Sequence, residues 1–219
     1  MLPISISSQA EGDYGMSVSF QESQTLKNLM AAFAGESQAR NRYTFAAALC
    51  RKQGFHVLDA VFTFTANQEK EHAQIFYNHM KAVAGQKVGI QADYPVNLSN
   101  DVLDLLRMAR DSEYEEFQPI YPAFGNTARE ENFPEVAVSF EQIAGIEQAH
   151  GNRFAHYVEL LESGKLYVSD AECGWLCLNC GHIHQGTEAP KNCPVCSHPQ
   201  GFFMRLECAP YGGAAILTP

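Results

Sequence analysis

Apolar and small residues recur at three- and four-residue spacing in four long stretches of the chain, as they do on the buried face of a helix. In the first stretch Leu26, Leu29 and Phe33 follow this spacing. Ser19 and Glu22 precede them in the arrangement of a capping box, which predicts that the helix begins there. The four stretches cover about 19–53, 56–84, 99–131 and 134–163. The pattern predicts four helices, each roughly 45 Å long at about 1.5 Å per residue.

Glycine, serine and proline mark where these helices begin, bend and end. The predicted helix stops are Gly54, Gly85 and Gly164. Ser99 is the predicted cap of the third helix, and Pro134 stands at the start of the fourth. Pro119 and Pro122 lie inside the third stretch, where they predict a kink. Residues 85–98 contain glycine and proline without helical spacing and predict a long connection.

Four long helices with one long middle connection indicate a mainly α protein with a ferritin-like four-helix bundle over residues 19–164. Residues 1–18 show no periodicity and predict a flexible leader. From residue 165 to 219 the chain is rich in Gly, Cys, Pro and aromatic residues. A segment this short buries little core, so we expect a metal to stabilise it.

The overall charge excludes some partners. The chain of 219 residues has 25 Asp and Glu against 15 Lys and Arg, a net charge of −10. Such a surface repels phosphate backbones, so nucleic acid is not an expected partner. The sequence has no apolar stretch long enough to cross a membrane and no secretory signal pattern. We therefore expect a cytoplasmic protein whose clustered cysteines are metal ligands rather than disulfides.

Carboxylates and imidazoles stand near the middle of each predicted helix, so a bundle would bring them to one level. Residues three apart share a helical face. Paired Glu-x-x-His motifs together with a Glu from each of two other helices are typical of di-iron and di-manganese bundles. We favour iron. The predicted donors are Glu36, Glu69, His72, Glu113, Glu116, Glu147 and His150.

An internal repeat supports this prediction and sets Glu116 apart. Glu36 and Glu113 are 77 residues apart, and Glu69 and Glu147 are 78 apart, which indicates two related helical hairpins. At the position equivalent to Glu116 the first helix has an alanine. The total negative charge of five glutamates comes within about one unit of balancing either a diferrous or a diferric iron pair. We infer that Glu116 binds the oxidised pair and releases the reduced pair, with His72 as its exchange partner.

Two C-x-x-C pairs separated by twelve residues predict a tetrahedral four-cysteine metal site. The spacing alone does not distinguish structural zinc from redox-active iron. The aromatic residues Tyr167, Trp175, Phe202 and Phe203 are predicted to form the small core around it. Cys50 is predicted to be a core residue and Cys173 a bystander thiol. The four predicted ligands are Cys177, Cys180, Cys193 and Cys196.

Several segments together resemble the rubrerythrin family, over about residues 20–206. They are AFAGESQARNRY (32–43), EKEH (69–72), EYEE (113–116), YPAF (121–124), EQAH (147–150) and the rubredoxin-like WLCLNCGHIHQGTEAPKNCPVC (175–196). The family joins a ferritin-like di-iron domain to a small rubredoxin-like β/loop domain with an Fe(Cys)₄ centre. Pro119, close after Glu116, and Cys173 depart from the pattern that we expect of the family.

This resemblance implies roles for individual residues. Glu36, Glu69, Glu113, Glu116, Glu147 and His150 look like the ligands of two iron ions, and His72 looks like the ligand that replaces Glu116 on reduction. Tyr43 and Tyr121 look like the tyrosines beside the iron pair, where either would donate a hydrogen bond to the departing oxygen. The resemblance also implies a homodimer.

The implied activity is reduction of hydrogen peroxide to water. Electrons would come through the Fe(Cys)₄ centre from an external rubredoxin or NAD(P)H-dependent reductase, because the chain has no G-x-G-x-x-G motif of its own. Two alternatives remain open at this point. One is an O₂-reducing oxidase, ferroxidase or iron-handling protein that uses the same bundle. The other is a non-enzymatic protein in which a zinc ribbon serves as a docking module.

Overall fold

The computed structural model describes residues 18–210. Within that range the chain forms five α-helices followed by one three-stranded antiparallel sheet, which confirms the mainly α prediction. The predicted leader lies outside the described residues apart from Val18. The elements are α1 (Gln24–Lys52), α2 (His56–His79), α3 (Val102–Glu115), α4 (Tyr121–Glu130), α5 (Pro134–Glu162), β1 (Val168–Cys177), β2 (Ile183–Glu188) and β3 (Phe203–Arg205).

Two helical hairpins make up the bundle. α1 packs along α2, while α3 and α4 together pack along α5. The connection from α2 to α3 has no regular structure over residues 86–99, as predicted. Gly54 and Gly164 follow α1 and α5 with φ of 83° and 69°. These left-handed conformations, which glycine adopts without steric cost, end the helices where the sequence predicted.

Two predicted helix starts are wrong. Ser19 precedes only a short 3₁₀ turn, and α1 begins after Ser23, whose hydroxyl accepts a hydrogen bond from the Leu26 amide. The Glu131 carboxylate, distant in sequence, accepts the amides of the next two residues and so selects this start. The cap of α3 is Asp101 rather than Ser99, because the Asp101 carboxylate accepts the Leu103 amide at 2.8 Å.

The kink predicted in the third helix is confirmed, and it divides that helix into α3 and α4. Residues Glu116–Ile120 form a wide π-type turn in which Gln118 has φ −158° and ψ 114°. Pro119 excludes the helical conformation from the residue before it and supplies no amide hydrogen. The break therefore comes at Gln118, two residues after Glu116, which itself keeps helical backbone angles.

The apolar interior of the bundle lies in two clusters, one on either side of a buried polar layer. One cluster contains Tyr43, Phe62 and Phe154. The other contains Phe76, Tyr121 and Phe140. Cys50 is fully buried in the first cluster, as predicted. Each cluster thus contributes one tyrosine close to the layer that separates them.

The sheet has the order β2-β1-β3, with Trp175 opposite His184 on one side and Arg205 on the other. Trp175 is fully buried beside Phe203, with Tyr167 and Phe202 packed around them, so the predicted aromatic core is confirmed. Among the described residues no helix is both long enough and apolar enough to cross a membrane.

The small module also packs on the bundle. Leu166 and Met204 belong to the first bundle cluster, and Phe202 stacks on His56 with ring centroids 3.8 Å apart. The two parts of the chain therefore share buried surface within one subunit.

Candidate metal centres

Six acidic and imidazole side chains from four helices meet between the two apolar clusters. Each is at most 5% exposed. α2 and α5 each contribute a Glu and a His three residues apart, while α1 and α3 each contribute one Glu. The six are Glu36, Glu69, His72, Glu113, Glu147 and His150.

Their oxygen and nitrogen atoms form two overlapping groups of four. One group contains Glu36 and His72, the other contains Glu113 and His150, and both contain Glu69 and Glu147. Within each group the potential ligand atoms all lie within 4.8 Å of one another. Two cation positions that share two carboxylates are what a dinuclear site requires, because bridging oxygens offset the repulsion between its cations.

The contacts inside the layer suit metal ions better than hydrogen bonds. His72 Nδ1 lies 2.8 Å from Glu147 Oε1, and His150 Nδ1 lies 2.9 Å from Glu69 Oε1. Both imidazole nitrogens and the oxygens that face them are nevertheless without a hydrogen-bond partner among the described residues. Buried polar atoms are rarely left in this state. Since these atoms converge on two points and belong to carboxylate and imidazole groups, the residues fit a pair of divalent cations.

The electrostatics support the same interpretation. Burial and the charges of Glu147 and Glu69 raise the pKa of Glu36 well above its ordinary value. Burial and the charge of Glu69 raise the pKa of Glu113 in the same way. Although burial favours a neutral imidazole, the surrounding carboxylates raise the pKa of His150 to about 12. Without a cation, the layer therefore balances its charge by holding protons.

Two buried tyrosines hold two of the carboxylates. Tyr121 donates its hydroxyl hydrogen to Glu36 Oε1 at 2.5 Å, and Tyr43 donates to Glu113. Burial and the neighbouring carboxylates raise the pKa of both phenols well above the ordinary value. Both tyrosines therefore stay protonated and orient carboxylates, so their hydrogens point at these groups in this conformation.

Glu116 lies outside both groups of four. It is half-buried and lines a cavity of about 760 Å³ between α1, the α2–α3 connection and the break after α3. The sequence predicted that Glu116 and His72 exchange at one ligand position. In this structure His72 belongs to one of the donor groups and Glu116 does not. Tyr94 also lines this cavity and donates its hydroxyl to the Ala31 carbonyl at 2.7 Å. Sequence reasoning missed Tyr94 because it stands in a segment without periodicity.

A second residue missed from sequence is Arg153, one helical turn beyond His150 on α5. Its guanidinium donates to Thr65 Oγ1 at 2.9 Å and to Gln68 Oε1 at 3.1 Å, both on α2. Burial lowers the pKa of Arg153. The sequence could have indicated Arg153, because it lies three residues after His150 and so shares a helical face with it.

The four cysteines of the small module also converge. Sγ atoms are 3.7 Å apart both between Cys177 and Cys196 and between Cys180 and Cys193. All four lie within 4.8 Å of one another. Thiolates about 2.3 Å from a central ion have edges of about 3.8 Å in a tetrahedron. The spacing of the sulfurs therefore fits a single tetrahedrally coordinated metal ion.

The two C-x-x-C loops have the same backbone conformation. Gly181 and Ser197, each following the second cysteine of its loop, have φ of 77° and 62°. The His198 amide points at the Cys196 sulfur and is the main reason why the pKa of that thiol falls to about 6. Cys173 and Cys208 lie outside this group of four. Amides directed at sulfur stabilise the thiolates that bind a metal.

Comparisons with known proteins match both halves of the chain. A family model described as Rubrerythrin matches residues 27–158, and one described as Rubrerythrin, rubredoxin-like domain matches residues 175–204. Rubrerythrin of Clostridium perfringens is 45% identical over 186 residues, which cover 84% of this chain and 95% of the relative. Rubrerythrin of Nitratidesulfovibrio vulgaris is 38% identical over 188 residues, which cover 86% of this chain and 97% of that one.

Solved structures give the same result. The fully reduced, all-ferrous state of nigerythrin has a TM-score of 0.57 at 30% identity, covering 89% of this chain and 91% of that chain. The bacterioferritin of Desulfovibrio desulfuricans has a TM-score of 0.59 at 21% identity, covering 65% and 82%. The second similarity concerns the fold of the bundle alone.

Proposed function

The chain belongs to the rubrerythrin family, and from this premise we propose that it is a peroxidase that reduces hydrogen peroxide to water. It is an oxidoreductase with a di-iron site of Glu and His ligands and a four-cysteine iron site. The observation that carries the proposal is the pair of donor groups sharing Glu69 and Glu147 beside a cavity that reaches Glu116. A buried dinuclear site with such an approach suits a small oxidant.

We assign the iron pair to the six buried donors, with Glu116 as the seventh ligand of the oxidised state. When bound, the iron pair supplies Lewis acidity and two electrons, so that hydrogen peroxide with two protons gives two waters. Glu69 and Glu147 would hold both ions, since they belong to both donor groups. Tyr43 and Tyr121 orient Glu113 and Glu36 through their hydroxyl groups.

Glu116 is suited to carry the protons that the reaction consumes. Burial and the charges of Glu113 and Glu147 raise its pKa well above the ordinary value, which favours its protonated form. It also lines the cavity between α1 and the α2–α3 connection. The proposed exchange between Glu116 and His72 would move this proton carrier as the site changes oxidation state.

Electrons enter, in this proposal, through the Cys177, Cys180, Cys193 and Cys196 site. Cys180 is exposed, so a docked donor can come close to that sulfur. The donor is a rubredoxin or an NAD(P)H-dependent reductase. The proposed protein is a cytoplasmic homodimer, with a bundle domain over residues 19–164 and a rubredoxin-like domain over residues 165–219.

Stopped-flow absorbance on iron-loaded protein tests this function. The fully reduced protein is mixed without air with one equivalent of hydrogen peroxide, or separately with O₂. We expect the ferric-thiolate band to return rapidly with peroxide and slowly with O₂. Faster oxidation by O₂ would instead indicate an oxidase or ferroxidase, and a colourless four-cysteine site would indicate zinc.

Two variants separate the two iron sites. Cys180→Ser is expected to stop steady-state turnover with the electron donor while the chemically reduced protein still consumes one equivalent of peroxide. Cys173→Ser is the matched control, because Cys173 lies in the same module but outside the group of four. Normal turnover by Cys180→Ser would refute the electron path.

A further inference from the structure

The cavity that holds Glu116 is much larger than hydrogen peroxide needs. Its volume is about 760 Å³, whereas two oxygen atoms occupy about the space of two waters, roughly 60 Å³. Pockets of about 300–1,000 Å³ are typical of sites for organic molecules. The cavity thus has room for a substrate with a carbon skeleton.

The lining suits such a substrate. Ala31, Ile90, Ile120 and Phe124 contribute apolar surface from α1, the α2–α3 connection and the region of the helix break. Glu116 and Tyr121, which border the metal layer, line the same cavity. An apolar group would therefore rest against these walls while a polar end faces the metal layer.

We propose that the protein also reduces alkyl hydroperoxides, ROOH, with the alkyl or aryl group held in this cavity. The inference rests on the proposed peroxidase function, whose reduced iron pair supplies the two electrons. The O–O bond breaks, two protons are taken up, and the products are one alcohol, ROH, and one water.

Gly35 determines how large this substrate can be. A Cβ atom at this position would lie 3.6 Å from Tyr94 Cε1 and 3.9 Å from Glu116 Oε1. Residue 35 therefore separates the wall formed by Tyr94 from the carboxylate. The hydrogen bond from Tyr94 to the Ala31 carbonyl anchors that wall to α1. The absence of a side chain at residue 35 keeps the passage open, and a branched side chain would obstruct it.

Single-turnover kinetics with cumene hydroperoxide test the proposal. Reduced, iron-loaded protein is expected to react with it at a rate constant within about a hundredfold of that for hydrogen peroxide, giving one equivalent of 2-phenyl-2-propanol. The rate constant for cumene hydroperoxide is divided by that for hydrogen peroxide. We expect Gly35→Val to lower this ratio at least about tenfold. Gly145→Val is the control, since that helical glycine faces open space.

A binding measurement gives a second readout. Calorimetric titration of the oxidised, iron-loaded protein with 2-phenyl-2-propanol should show saturable binding that Gly35→Val weakens at least about tenfold. If Gly35→Val does not fold, Gly35→Ala takes its place, because its Cβ makes only ordinary contacts.

The outcomes distinguish the two proposals. Rapid reaction with hydrogen peroxide but no alcohol formed from cumene hydroperoxide would overturn the inference and leave the peroxidase function standing. A ratio that Gly35→Val leaves unchanged would also overturn it. Slow reaction with hydrogen peroxide and fast reaction with O₂ would instead overturn the peroxidase function itself, and the inference with it.

Discussion

Gly201→Ala should separate the small module from the end of the bundle. Gly201 lies against the turn after α1, and a methyl group there would collide with the Gly54 carbonyl oxygen. The carbonyl carbon of Gly54 would be 3.1 Å away and His56 Cδ2 3.6 Å away. Carbon atoms prefer about 3.5–4.0 Å. Because the obstacle is backbone rather than a flexible side chain, the module itself must shift.

The expected cost is about 2–3 kcal/mol, the upper part of the range for overpacking a buried contact. In a chain of this size each kcal/mol changes Tm by about 2–4 °C, so Gly201→Ala should melt about 4–12 °C below the parent. The shift also loosens the stack of Phe202 on His56. Circular dichroism measures Tm, and hydrogen exchange should show faster amide exchange in peptides covering 54–60 and 198–206.

Gly145→Ala is the matched control, and it is expected to change Tm in the opposite direction. Gly145 lies in the interior of α5, where a Cβ meets open space. Replacing an exposed helical glycine with alanine stabilises by about 1 kcal/mol, so Tm should rise by about 2–4 °C. If Gly201→Ala melts like the parent while Gly145→Ala is stabilised as expected, the module does not pack against its own Gly54 in solution.

Three further predictions concern the bundle. Although burial favours neutral imidazoles, carboxylates raise the pKa of His72 to about 9 and that of His150 to about 12. Divalent metal binding at pH 7 should therefore release at least two protons, and affinity for the metal pair should fall about a hundredfold for each unit by which the pH is lowered. Calorimetry in two buffers of different ionisation enthalpy counts the protons released, and a count clearly below two would refute this. Tyr121→Phe loses the hydrogen bond to Glu36 and should weaken iron binding about 10–100-fold. Competition with a chelator measures this affinity. If the variant and the parent bind iron equally well, Tyr121 does not orient Glu36. Phe154→Ala, at a fully buried position, should cost about 3–5 kcal/mol in urea unfolding, and a loss below about 1 kcal/mol would be inconsistent with this core.

Much of the metal chemistry was predictable because it depends on local spacing. Glu69 and His72 share a helical face in any α-helix that contains them, and so do Glu147 and His150. The spacing of the cysteines likewise predicts two loops whose thiols converge. The midpoints of four helices of similar length meet at one level in a bundle, which is why the donors of separate helices were found together.

The helix boundaries were less predictable, because residues distant in sequence decided them. Ser19 and Ser23 both carry a local start signal, and the carboxylate of Glu131 selects the second. At α3 both Ser99 and Asp101 are good capping residues, and Asp101 makes the cap. Pro119 predicted a kink by its chemistry, but the sequence did not predict that Glu116, just before the break, lies outside both donor groups.

The sequence by itself therefore predicted the six side chains that meet in the buried layer and the four cysteines that converge, since helical and loop periodicity is a local property of the chain. Only the tertiary structure decided that His72 rather than Glu116 lies in the donor group, that Tyr43 and Tyr121 bond to Glu113 and Glu36, and that Tyr94 walls a cavity. These contacts join segments far apart in the sequence. Their geometry depends on how the helices and the α2–α3 connection pack, which no local pattern encodes.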